Sequence, residues 1–165
     1  KDFGLPDNTF VFCSFNSPYK IQPEMFNVWI EILKNKEDSV LWLLENEESD
    51  SVKNILEYSK KNGIKPNRII FSKRSEINEY LNKLKVADLF LDTFPITAHT
   101  TASDALWVGL PVLTLAGKSM VSRVAGSLLN NINMKELITY SYIDYKNMAL
   151  KISNNKPYYL SLIHI

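Results

Sequence analysis

Between Leu89 and Leu110 the chain places His99, Thr100, Thr101, Ser103 and Asp104 in quick succession, behind the apolar residues 89–91 and Pro95. The apolar run predicts a buried strand, the proline a loop, and Thr100 or Thr101 the opening of a helix. In an open parallel α/β sheet, ligands bind at loops on the carboxyl ends of strands. A helix start adds unpaired N–H groups and the positive end of a dipole. The chemistry that fits is recognition of a phosphorylated ligand. Thr101 with Asp104 three residues later also has the spacing of a capping box, which needs one hydroxyl and no ligand. The cluster outweighs that simpler reading, because it offers several donors to an anion and a carboxylate that accepts from sugar hydroxyls. Together these suit a nucleotide with a diphosphate and a ribose.

The elements that must position this loop alternate along the chain. Strands are expected at residues 10–15, 40–44, 68–71, 89–91 and 112–115. Between them, residues 23–35 carry Phe26, Trp29, Ile30 and Leu33 at helical spacing. Residues 51–62 keep Val52, Ile55, Leu56 and Ser59 on one side and close at Gly63, while Ile77, Tyr80, Leu81 and Leu84 mark a third helix over 75–85. A helix from the threonines runs to Gly109, and another is expected over 121–129. Strands about 20 to 30 residues apart with helices between them predict a Rossmann-like open parallel α/β sheet, joined by right-handed crossovers and covered on both faces. Trp29, Trp42 and Trp107 fall on apolar stripes or in a strand and are expected in the core.

Composition narrows the ligand. A chain of 165 residues, 45% hydrophobic and 22% charged, is expected to be a single globular lobe over 1–165. A formal net charge of +1 gives no general attraction to nucleic acid or an anionic membrane, so an anion site must be local; the acidic run 45–50 reads as a solvated loop. Cys13 lies in an apolar run and is expected as a buried thiol, which fits a reducing, cytoplasmic setting. No leader pattern opens the chain and no apolar run approaches a membrane span. Five glycines, with no G-x-G-x-x-G after the first strand and no G-x-x-x-x-G-K-[ST], argue against a dinucleotide fingerprint or a P-loop. His99 and His164 lie far apart without cysteine partners, so neither a metal nor a cofactor is expected. Arg123, beside Ser122 at another helix start, could face the same crevice but reads more simply as a surface or packing residue.

Four motifs occur in order: Phe15-Asn16-Ser17-Pro18-Tyr19-Lys20-Ile21, Asp92-Thr93-Phe94-Pro95, Ala98-His99-Thr100-Thr101-Ala102-Ser103-Asp104-Ala105-Leu106-Trp107, and Ser122-Arg123-Val124-Ala125-Gly126-Ser127-Leu128-Leu129. In this order they resemble the carboxyl-terminal catalytic lobe of the O-linked N-acetylglucosamine transferase family, glycosyltransferase family 41, over about residues 5–150. The resemblance implies the second lobe of a GT-B fold, with UDP-N-acetylglucosamine as donor and an inverting transfer to serine or threonine hydroxyls of proteins. It also implies partners upstream of Lys1, a first catalytic lobe and tetratricopeptide repeats. The chain then reads as a donor-binding fragment, inactive alone, with residues 151–165 a truncated or foreign end and no role for His164.

Carried over position by position, the resemblance implies that His99, Thr100 and Thr101 hold the diphosphate and that Asp104 accepts from the ribose. Lys20 is implied to be catalytic, reaching the diphosphate and offsetting charge on departing UDP. The segment from Ser75 is implied to hold the uracil. There Tyr80 stands where many members carry a stacking histidine, and Ile77 where some carry lysine; Ser17 stands for a glutamine and is a shorter donor. Two other readings keep the same fold: a lobe that binds a nucleotide and transfers nothing, which Ser17 and Ile77 favour, and a partner-binding domain with no nucleotide.

Overall fold

Phe10–Ser14 (β1) reads Phe-Val-Phe-Cys-Ser, and from Val11 onward every one of its residues is buried. Successive side chains of a strand point to opposite faces, so an uninterrupted apolar run means that both faces are covered. The computed structural model describes residues 3–45 and 50–163, and β1 lies near the middle of its sheet. After it come α1 (Pro23–Asn35), β2 (Ser39–Leu44), α2 (Ser51–Lys61), β3 (Ile69–Ser72), α3 (Ile77–Val86), β4 (Leu89–Leu91), α4 (Thr100–Trp107), β5 (Val112–Leu115), α5 (Val124–Asn131), β6 (Ile138–Thr139), α6 (Tyr142–Asn154) and α7 (Lys156–Ile163). The strand order is β3-β2-β1-β4-β5-β6 and every pairing is parallel. This is the Rossmann-like open parallel sheet that the alternation predicts.

Alternation along the strands divides the core in two. Phe12, Leu41, Leu89, Leu91 and Leu113 face α1 and α6 and pack with Met25, Trp29, Ile30 and Tyr145. Val11, Cys13, Trp42, Phe90 and Val112 face the opposite way, onto Leu84, Ala102, Ala105 and Ala125 of α3, α4 and α5. Removing side chains such as Phe12 and Leu113 from water contributes about 1.5–3 kcal/mol each. The Cys13 thiol is buried as expected; burial, then the charge of Asp88, pushes it well above its ordinary value.

Several elements differ from the sequence expectations. Arg68 does not open β3: it ends a short turn, Pro66–Arg68, and its guanidinium donates to the carbonyls of Leu33 (2.8 Å), Lys36 (2.7 Å) and Ser39 (2.9 Å). The helix expected over 121–129 is split into a 3-10 turn, Met120–Ser122, and α5. Trp107 is 85% exposed, unlike Trp29 and Trp42 at 0% and 1%. Its neighbours explain this. Ala102 and Ala105 define the buried side of α4, and at 100° per residue Trp107 lies about 200° round from Ala105.

β6, α6 and α7 were not anticipated, although Ser141 and Asp144 hold the spacing of a capping box: the Ser141 hydroxyl accepts from the Asp144 N–H at 3.1 Å. Nor is the end of the chain foreign to the core. Ser161, Leu162 and Ile163 continue α7, Leu162 is buried, and the Tyr159 hydroxyl donates to Asp88 at 3.4 Å. His164, and the acidic run from residue 46 to 49, lie outside the described residues.

Candidate functional site

The order β3-β2-β1-β4-β5-β6 reverses direction between β1 and β4. The chain leaves these two neighbours toward opposite sides, so the loops after them part and leave a crevice at their carboxyl ends. Both chemistry-bearing stretches arrive there. The loop after β1 carries Asn16 and Ser17 and ends in a 3-10 turn, Pro18–Lys20; the loop after β4 runs from Asp92 to His99 and opens α4.

The two loops are fastened to each other. Lys20 Nζ donates to the carbonyl of Thr97 at 3.2 Å. Thr97 is itself fixed, its N–H and hydroxyl both donating to the Val121 carbonyl at 3.0 and 2.8 Å. Lys20 and the loop that leads into α4, joined at Thr97 across 77 residues of sequence, therefore share one edge of the sheet.

At the base of the crevice Asp92 is fully buried and accepts four hydrogen bonds. Its Oδ1 receives the N–H groups of Thr93 (2.8 Å) and Ala98 (2.7 Å) and the amide of Asn16 (3.1 Å); its Oδ2 receives the Thr114 hydroxyl (2.7 Å). Burial is the stronger influence on its acidity and pushes it up to about 6, against these four donors, which favour the charged form.

The capping box proposed for α4 does not form. The N-cap is His99, with no side-chain hydrogen bond to the helix, and the Thr101 hydroxyl turns away to donate to Asn16 Oδ1 at 2.6 Å. The first N–H groups of a helix have no intrahelical acceptor, so the turn at Thr100 and Thr101 presents its donors outward.

A cavity of about 390 Å³ opens on this turn, within the range of small-ligand sites. Of the residues singled out from sequence, Ser17, Lys20, Ser75, Tyr80, His99, Thr100 and Thr101 line it. Two do not. Ile77 is 58% exposed at the start of α3, and Asp104 sits one turn into α4, with its carboxylate near the Tyr80 hydroxyl. The Tyr80 hydroxyl is buried without a hydrogen-bond partner among the described residues; burial, then the Asp104 carboxylate, raises its pKa. Its ring meets Phe15 at 6.1 Å between centroids.

Sequence reasoning missed four lining residues that carry charge or anchor it. Lys73, Arg74 and Lys83 add cations beside Lys20, and Asn16 joins the two loops. Lys83 is only 6% exposed, paired with Glu79 at 2.8 Å and donating to Ser75 Oγ (3.0 Å) and the Lys73 carbonyl (3.2 Å). The (i, i+4) spacing of Glu79 and Lys83 was a legible signal for that pair. Arg123 does not face this crevice. It lines a separate cavity of about 910 Å³ with Lys118, Met120 and Tyr140. Among the described residues no group of three or more His, Cys, Asp or Glu could hold a metal ion, and no helix is long and apolar enough to cross a membrane.

Donors at a helix start, a lysine and an aromatic ring line one cavity and suit a ligand with a charged end and a flat end. Residues 1–164 match glycosyl transferase family 41. The chain is 37% identical over 157 residues to a probable UDP-N-acetylglucosamine--peptide N-acetylglucosaminyltransferase of Arabidopsis thaliana, covering 94% of this chain and 16% of that protein. It is 37% identical to the enzyme of that name from Caenorhabditis elegans, covering 93% and 13%. A Thermobaculum terrenum O-GlcNAc transferase mutant superposes with a TM-score of 0.88 at 25% identity, over 97% of this chain and 33% of that one. The chain thus spans a small part of each relative.

Proposed function

This chain belongs to glycosyl transferase family 41, and from that premise we propose that it is the donor-binding half of an inverting glycosyltransferase that moves N-acetylglucosamine from UDP-N-acetylglucosamine to serine and threonine hydroxyls of proteins. The observation that carries this reading is that Lys20, bonded to the Thr97 carbonyl across the β1–β4 switch point, lines one cavity with Thr100 and Thr101 of the first turn of α4. An acceptor hydroxyl attacks the anomeric carbon from the face opposite UDP and releases its proton to solvent as the new bond forms. The bond from that carbon to the β-phosphate oxygen breaks, and its electron pair leaves with UDP. The N–H groups of Thr100 and Thr101, the Thr100 hydroxyl, His99 and the Lys20 ammonium receive the charge that grows on the diphosphate. Asp104 accepts from the ribose, and the uracil lies between Tyr80 and the loop at Ser75, with Ser17 a further donor. Tyr80 replaces the family's histidine and keeps a flat face for stacking; Ile77, projecting into solvent, contributes least.

The acceptor must be held behind the anomeric carbon, and a facing lobe does that. The proposed partners are accordingly an amino-terminal catalytic lobe with tetratricopeptide repeats and a protein or peptide acceptor, in the cytoplasm, with neither metal nor cofactor. Calorimetric titration with UDP, UDP-N-acetylglucosamine and ADP tests the reading. Binding of both uridine ligands with much weaker ADP is expected. No UDP binding would leave the alternative of a partner-binding α/β domain, and equal binding of UDP and ADP would leave that of a lobe that binds a nucleotide and transfers nothing.

A further inference from the structure

Asn16 is 2% exposed and uses both ends of its amide on residues far away in sequence. Its nitrogen donates to Asp92 Oδ1 (3.1 Å) and Thr93 Oγ1 (2.8 Å), and its oxygen accepts from Thr101 Oγ1 (2.6 Å). The orientation is fixed by chemistry: an ionised carboxylate only accepts, so the amide nitrogen faces Asp92 and the oxygen is left for the Thr101 hydroxyl. Thr93 passes the restraint on, its hydroxyl donating to the Ile96 carbonyl at 2.7 Å. Asp92 Oδ1 meanwhile holds the Ala98 N–H at the far end of the same loop. One buried amide thus ties the end of β1, the loop after β4 and the first turn of α4.

On the reading that this crevice receives a nucleoside diphosphate, we propose that Asn16 is a positioning residue. Anchored on Asp92 and Thr93, it holds Thr101 and the first turn of α4 in the orientation that meets the diphosphate, without touching the ligand itself. The geometry supports a separate role from Lys20. Lys20 brings charge to the crevice, whereas Asn16 sets the direction of the donors that face it. A hydroxyl has one proton, and here that proton is committed to Asn16. The Thr101 side chain therefore acts through Asn16, and the two residues work as one unit. Asp92 needs only its Oδ1 for this relay, because Oδ2 is occupied by Thr114. An amide in place of the carboxylate, oriented with oxygen at Oδ1, would keep the relay intact.

The test is a double-mutant cycle read by the affinities for UDP and uridine, with thermal melting of each variant alongside. Asn16→Ala is expected to weaken UDP by about tenfold and uridine by less than about twofold. Thr101→Val is expected to do the same, the double variant no worse than either single one, and Asp92→Asn to bind UDP as the wild type does. Unchanged UDP affinity in Asn16→Ala, equal weakening of UDP and uridine, or additive losses in the cycle would overturn the role. If Asn16→Ala does not fold, the wild type still decides. The Asn16 side-chain amide protons should exchange slowly with solvent by NMR when UDP is bound, and rapid exchange would show that the amide is not anchored. Failure of the wild type to bind UDP would overturn the nucleotide reading together with this inference, whereas wild-type binding that Asn16→Ala leaves untouched overturns the inference alone.

Discussion

Lys20 Nζ lies 3.2 Å from the carbonyl oxygen of Thr97, and that contact sets a lysine from the β1 loop over the strand-to-helix loop after β4. The ammonium is half-buried and donates to a backbone carbonyl, a neutral group, so its positive charge is available to an anion arriving at Thr100 and Thr101. Lys20→Ala should therefore weaken UDP by about 1.5–3 kcal/mol, the contribution of a charged hydrogen bond, and leave uridine nearly unaffected. Isothermal titration with both ligands decides it; equal weakening would mean that Lys20 does not reach phosphate.

Asp104→Ala should give the opposite pattern. A ribose contact is common to UDP and uridine, so both should weaken together, by about 1 kcal/mol. The same substitution in a protein that joins this chain to the proposed amino-terminal lobe should lower transfer to a peptide acceptor. The 165-residue chain alone should bind UDP and transfer nothing, because positioning of the acceptor can account for several orders of magnitude of rate. Peptide glycosylation by the isolated chain at a rate near that of the joined protein would overturn this division of labour.

Asp92 predicts a pH dependence of stability. Its pKa in the fold, about 6, lies above the ordinary carboxylate value of 3.8, so the folded state holds the proton more tightly than the unfolded chain. The stability that this supplies is fully present below about pH 4 and is lost as pH rises through about 6. Wild type should accordingly lose up to about 3 kcal/mol relative to Asp92→Asn between pH 4 and pH 7, at 1.36 kcal/mol per pKa unit. Urea unfolding of both proteins across that window is the measurement, and parallel profiles would contradict it.

The tryptophans separate packing from exposure. Trp42 is 1% exposed and stacks edge-on against Phe15 with centroids 5.0 Å apart; Trp42→Ala should cost about 3–5 kcal/mol through the cavity it leaves. Trp107→Ala should change stability by less than about 0.5 kcal/mol, since its ring packs against little. Chemical denaturation of the two variants checks the pair, and a large loss at Trp107 would place that ring in a contact the fold does not contain.

What the sequence determined by itself follows from its periodicities and its short motifs. Continuous apolar runs such as Phe10–Ser14, spaced by helical stripes, dictate a parallel sheet covered on both faces, because only burial on both sides tolerates them. His99, Thr100 and Thr101 behind an apolar strand already mark a helix start suited to an anion, a local property of four or five residues. The partner of Thr101 was not local. Sequence offers Asp104, three residues away, as the other half of a capping box, yet the hydroxyl goes to Asn16, 85 residues distant, because strand order places β1 beside β4. The buried Asp92, the cations Lys73, Arg74 and Lys83, and the exposed Trp107 were decided in the same way: each depends on which element lies opposite, and only the packed sheet fixes that.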